Sequence, residues 1–118
     1  MKLITAILRP EKLDELIETL IDSRVHGLTV SEVRGFGRQF GQPAHGADID
    51  LGLPSARKGA LLPKVRLDLV VPDDGADALV ETLAKHARTD TIGDGKIWVS
   101  TVDSVLRVRT GERDRAAI

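Results

Sequence analysis

Cysteine is absent from the 118 residues. That excludes disulfides, thiolate zinc sites, iron–sulfur clusters and cysteine nucleophiles. Tyrosine is absent as well, and Phe36, Phe40 and Trp98 are the whole aromatic complement. A core must therefore be built from Leu, Val, Ile and Ala. No run approaches the roughly 18 apolar residues of a membrane span. The opening Met1-Lys2-Leu3-Ile4-Thr5 lacks the apolar region and cleavage site of a signal peptide. A cytoplasmic protein is the expectation. Neither sign of charge is in excess: seventeen Lys and Arg face eighteen Asp and Glu, a net charge of −1. A general nucleic-acid binder would need a basic surplus, so no nucleic-acid partner is expected. His26, His45 and His86 never share one element at metal-ligand spacing, and each reads as a surface or loop residue. Asp48 and Asp50 suit a solvated loop better than a cation site. No nucleophile elbow, triad or paired acid and base is present, so no enzyme is expected.

What is there suits one domain, residues 1–118, with enough apolar content (42%) for an aliphatic core. At this size added burial in an oligomer would help. Leu3 to Leu8 is a short apolar run, read as a strand buried on both faces. Pro10 favours a helix start. Leu13, Leu16, Ile17, Leu20 and Ile21 then form one apolar helical stripe. Leu28 to Arg34 is rich in β-branched residues and predicts a second strand. Phe36 to Pro63 is different: 28 residues with five of the eleven Gly and three of the five Pro. A stretch this long without periodicity is functional or disordered in most compact domains. Val65, Leu67, Leu69 and Val71 alternate as a half-buried third strand. Pro72-Asp73-Asp74 predicts a helix start with an Asp cap. Ala76, Leu79, Val80, Leu83 and Ala87 make the second helical stripe. Lys96 to Val102 is the fourth strand, Val105 to Arg109 a further extended piece, and Thr110 to Ile118 a polar tail. The order β-α-β, long loop, β-α-β predicts a ferredoxin-like α+β sandwich, two helices on one face of a four-stranded antiparallel sheet. Apolar residues on the other face predict a cover, most simply a second copy of the chain.

Three groups suit phosphate. Gly35-Phe36-Gly37-Arg38-Gln39 combines backbone freedom with a permanent cation, although taken alone a bend at a strand end is the commoner meaning of so short a glycine motif. Gly93-Asp94-Gly95-Lys96 sets glycines beside an ammonium, and a tight Asp-Gly turn is the plain alternative. In extended chain Arg107 and Arg109 would share one face about 7 Å apart, from a rise of about 3.3 Å per residue. Two forks there suit a polyphosphate, and a charged sheet edge is the other reading. Together the three make a polyphosphate nucleotide the economical common ligand.

These same segments, with Arg9-Pro10, Gly27-Leu28-Thr29-Val30, Leu62-Pro63-Lys64-Val65, Val70-Val71-Pro72-Asp73-Asp74, Ile92 to Val99 and Arg107 to Glu112, resemble the P-II nitrogen-regulatory signal-transduction proteins nearly end to end. The resemblance implies a homotrimer with ATP or ADP between subunits. It implies a T-loop over about 36–63, a B-loop over about 88–96 and a C-terminal region over about 103–118. Gly37, Arg38 and Gln39 would lie beside the phosphates, with Gly93, Asp94, Gly95 and Lys96 as the B-loop phosphate site. Arg107 and Arg109 would reach over from the neighbouring subunit. Ile7, Thr29 and Val70 would belong to the adenine and ribose region. Gln39 would ligate Mg²⁺ with ATP, and Lys64 would pair with the distal carboxylate of 2-oxoglutarate. The T-loop would be read by a partner protein, a transporter or an enzyme, with recruitment to a membrane transporter.

The chain departs from the family in that loop. The modifiable Tyr is missing, and His45-Gly46-Ala47-Asp48-Ile49 stands near its place. The stretch Gly52 to Gly59 looks inserted. Ser55 is the one hydroxyl residue between Phe36 and Pro63, hence the candidate for any modification. Asp68 stands for the usual Glu, and His26 for a common Thr or Ser. These departures keep a second branch open: a specialised paralogue responding to bicarbonate or another small anion with ADP or AMP. A small nucleotide-dependent phosphotransferase is the enzyme alternative, and it lacks a histidine in the three phosphate motifs.

Overall fold

The computed structural model describes residues 1–37 and 61–118. Four strands and two helices alternate: β1 (Lys2–Leu8), α1 (Leu13–Asp22), β2 (Thr29–Gly35), β3 (Leu62–Val71), α2 (Ala76–Ala87) and β4 (Gly95–Thr101). The sheet order is β2-β3-β1-β4. All three pairings are antiparallel. This is the ferredoxin-like sandwich. The apolar run of β1 has its reason in this topology, since the strand lies between two neighbours.

The two faces of the sheet are chemically unlike. Ile4, Ala6 and Leu8 of β1 meet Val65, Leu67, Leu69 and Val71 of β3 under the helices, with Leu16 and Leu20 of α1 and Leu79 and Leu83 of α2. These side chains are buried and all aliphatic. Trp98 and Phe36 stay outside the core, at 45% and 58% exposure. On the other face the register sets Thr29, Asp68, Thr5 and Trp98 in one row. Ser31, Arg66, Ile7 and Lys96 form the next. Thr5 is fully buried and donates its hydroxyl to Asp68 Oδ1 at 2.7 Å. Arg66 Nε donates to Asp68 Oδ2 at 2.8 Å. The Arg66 guanidinium, then the Thr5 hydroxyl, outweigh burial and hold the Asp68 carboxyl below its usual range.

Several expectations need correction. The α2 start is capped by Gly75 at φ 112°, without any side-chain cap. The Asp73 carboxylate instead accepts the N-terminal ammonium at 2.9 Å, and Asp74 pairs with Arg115 at 3.2 Å. Pro10 opens a single 3₁₀ turn, and the α-helix proper begins at Leu13. β3 begins at Leu62, two residues before the Lys64 at which order is expected to return. The C-terminal region is neither an extended piece nor a polar tail. Leu106 bridges Arg113 around a turn, and Asp114–Ala117 form a 3₁₀ turn. His86 is more than a surface residue: its Nδ1 meets Glu15 Oε1 at 3.0 Å and ties α2 to α1.

Candidate functional site

The segment between α2 and β4 is shaped by left-handed backbone and by one carboxylate. Asp90, Gly93 and Gly95 have φ of 63°, 105° and 101°. Two glycines there adopt backbone that other residues take up only with strain, and the Asp94 N–H between them donates to the Thr91 carbonyl at 3.3 Å. Asp94 sits inside the turn. Its Oδ2 accepts the Thr89 N–H at 2.7 Å, and its Oδ1 accepts both the Thr89 hydroxyl and Arg9 Nε. Burial opposes the charge here, but the hydrogen bonds from Thr89 and Arg9 prevail and hold the carboxyl far below the carboxylate range. A second bond runs from Arg9 Nη2 to the Ile92 carbonyl at 2.8 Å. Lys64 Nζ donates to the Gly93 carbonyl at 2.5 Å. Burial, and then the Arg9 charge, lower the Lys64 pKa from its ordinary value. Three consecutive residues, 92 to 94, are thus clamped by cations from the end of β1 and the start of β3.

Gly95 completes the geometry. It lies so close to β1 that a Cβ there would stand 1.7 Å from the Ile7 carbonyl oxygen. Ile7 and Lys96 are cross-strand partners. Ile7 and Lys96 therefore meet at one end of the uncovered face, with the Gly93-Asp94-Gly95 turn directly before Lys96 at the start of β4. Asp94, Gly95 and Lys96 also line a cavity of about 380 Å³ with Leu8, Val80 and Ile97.

A second group gathers elsewhere. Thr29, Val70 and Arg107 line a cavity of about 840 Å³, together with Leu3, His26 and Gly27. Within one chain the two groups line different cavities. Arg107 and Arg109 do not share an extended face, because the chain turns over 108–110. Arg107 is half-buried at the cavity while Arg109 is exposed. Gly37 follows the end of β2 in open space. Arg38, Gln39 and Ser55 lie outside the described residues, as do His45, Asp48 and Asp50.

Arg9 and Thr89 are site residues that the sequence alone does not mark. Arg9 directly precedes Pro10, and Thr89 lies five residues before Asp94. Neither spacing signals a clamp that forms only when β4 pairs with β1. Among the described residues no three His, Asp or Glu side chains cluster as a metal site, and no helix is long and apolar enough to cross a membrane.

The family described as nitrogen regulatory protein P-II matches residues 1–112. Nitrogen regulatory protein P-II 2 of Methanothermobacter thermautotrophicus is 47% identical over 120 aligned positions, covering all of this chain and 97% of that protein. Nitrogen regulatory protein P-II 1 of Escherichia coli K12 is 47% identical with both chains fully covered. Nitrogen regulatory protein P-II of Synechocystis is 46% identical over 118 positions, again with full coverage of both.

Proposed function

The chain belongs to the P-II family of nitrogen regulatory proteins, and from that premise we propose that it is a homotrimeric sensor of adenine nucleotides. It acts on a partner protein, a transporter or an enzyme, through the 36–61 loop. It is a regulator and not an enzyme, as its relatives are named regulatory proteins. The observation that carries the reading is the clamped turn at 92–96. Gly93 and Gly95 lie at positive φ, and Lys96 follows on β4 beside Ile7. Backbone donors with an adjacent ammonium suit the phosphates of ATP or ADP. The adenosine end falls to Thr29 and Val70 at the larger cavity, and Arg107, which lines the same cavity, reaches the phosphates held by a neighbouring subunit. Gly37, Arg38, Gln39 and Arg109 complete the phosphate set in this reading.

The effector in the same reading is 2-oxoglutarate, bound with Mg²⁺ and ATP. Gln39 would supply an amide oxygen to the ion, which favours octahedral oxygen ligands. Lys64 would take the distal carboxylate. Each ligand shifts the loop population only by its differential affinity for the two states. The absence of Tyr favours a second reading, a specialised paralogue in which bicarbonate or another small anion acts with ADP or AMP. Calorimetric titration with ATP, ADP and AMP, each with and without 2-oxoglutarate or bicarbonate and Mg²⁺, separates the two. ATP binding that tightens the protein for 2-oxoglutarate supports the first. No nucleotide binding at millimolar concentration refutes both.

A further inference from the structure

Arg107 is held from behind. Its Nη1 donates to Glu112 Oε2 at 2.9 Å. The two residues also face each other through the backbone. The Arg107 N–H donates to the Glu112 carbonyl at 2.9 Å, and the Gly111 N–H returns to the Arg107 carbonyl at 2.8 Å. Gly111 takes φ 74°, which closes the turn. One bridge pair flanks it, Leu106 with Arg113, and beyond that the Asp114 N–H donates to the Val105 carbonyl at 2.8 Å. The Glu112 Cα is therefore fixed opposite Arg107 by main chain, not by the ion pair itself. The carboxylate arrives where the guanidinium stands.

The division of faces matters. Arg107 lines the larger cavity, and Glu112 is not among the residues lining it. A guanidinium carries five N–H donors in a rigid fork. Glu112 engages Nη1, and among the described residues no other side chain pairs with this guanidinium. Both side chains are partly exposed, at 38% and 44%. An arginine so placed would otherwise sample many rotamers, and a phosphate would have to immobilise it on binding.

We infer that Glu112 is a positioning residue for the nucleotide site: it fixes the Arg107 guanidinium in register with the phosphates and does not compete for it. The inference rests on the nucleotide reading above. It also assigns a cost, since a carboxylate near a polyphosphate repels it. The neutral isostere should thus serve as well as the native side chain.

The test is ATP titration by calorimetry at fixed ionic strength, on the full chain. Five proteins are compared: parent, Glu112→Ala, Glu112→Gln, Arg107→Ala, and Arg107→Ala with Glu112→Ala. Glu112→Ala should weaken ATP roughly three- to tenfold, the factor expected for releasing one rotamer-rich side chain. Glu112→Gln keeps an oxygen acceptor and should bind at least as tightly as the parent. In the Arg107→Ala background the second substitution should change affinity by less than about twofold, because its route of action is gone. A structural role in the turn alone would predict no rescue by Gln and the same loss in both backgrounds, and that pattern overturns the inference. Equal binding by Glu112→Ala overturns it too, by showing that the carboxylate positions nothing, and tighter binding does so by showing that it competes. A parent that binds no ATP overturns the nucleotide reading itself, a result distinct from the other two.

Discussion

Gly95→Ala tests how closely the phosphate loop is built onto β1. The residue sits at φ 101°, and the added methyl would lie 1.7 Å from the Ile7 carbonyl oxygen and 2.8 Å from its carbon. Gly75 is a natural control. Its φ is 112°, yet a Cβ there meets nothing within 4 Å. Gly75→Ala therefore measures the dihedral cost, about 1–2 kcal/mol for a left-handed conformation. Gly95→Ala adds a clash that only backbone can relieve. A carbon–oxygen contact needs about 3.3 Å, so β4 must retreat from β1 by roughly 1.5 Å at its first residue. That retreat strains the ladder at the Leu8–Gly95 pair, at about 1–3 kcal/mol for a buried group left without its partner. The sum for Gly95→Ala is about 2–5 kcal/mol, against about 1–2 for Gly75→Ala. Urea unfolding followed by circular dichroism gives both values, at one protein concentration because oligomers are stabilised by mass action. If the two variants unfold within about 0.5 kcal/mol of each other, the close approach of Gly95 to Ile7 is not as described.

Lys96→Ala should weaken ATP roughly ten- to a hundredfold by calorimetry, the loss of about 1.5–3 kcal/mol for a charge-assisted contact, with the oligomer unchanged on a sizing column. Lys64→Ala should abolish a 2-oxoglutarate response that in the parent requires ATP and Mg²⁺; an unaltered response would remove Lys64 from the effector site. Asp94 has a folded pKa depressed below the value of about 3.9 expected in the unfolded chain. Its contribution is therefore complete above that value and is lost as pH falls through the folded pKa. Asp94→Asn should be less stable than the parent at pH 7, with the gap narrowing below about pH 4. Glu15, Asp68 and Asp73 are shifted the same way, so the comparison is made at each pH; a gap independent of pH from 7 to 3 contradicts the assignment.

The periodic elements were legible because their signals are local. Leu16 and Leu20 recur one turn apart and are both buried, and the alternation of Val65, Leu67, Leu69 and Val71 marks the helix-facing side of β3. The Gly-Asp-Gly-Lys turn was legible for the same reason. What escaped depends on pairs distant in sequence. Asp73 has the composition of a cap, but its carboxylate is taken by the ammonium of Met1. Arg9 reaches Asp94 across 85 positions, a contact that exists only after β1 and β4 align. The Arg107–Arg109 error was of another kind. The Thr110-Gly111 pair is a turn signal that outweighs the extended pattern of Val105 to Arg109. Gly111 at φ 74° helps reverse the chain there.

The clamp at 92–94 bears on how a ligand would be met. Arg9 and Lys64 hold the Ile92 and Gly93 carbonyls through hydrogen bonds made wholly within the chain. The amides of the turn are therefore arranged before any anion arrives, and folding has already removed their conformational freedom. An anion docking there would lose its own mobility and its water, with little ordering of the loop added to the entropy of association. Encounter would follow diffusion and local charge, and would slow as salt screens the cations.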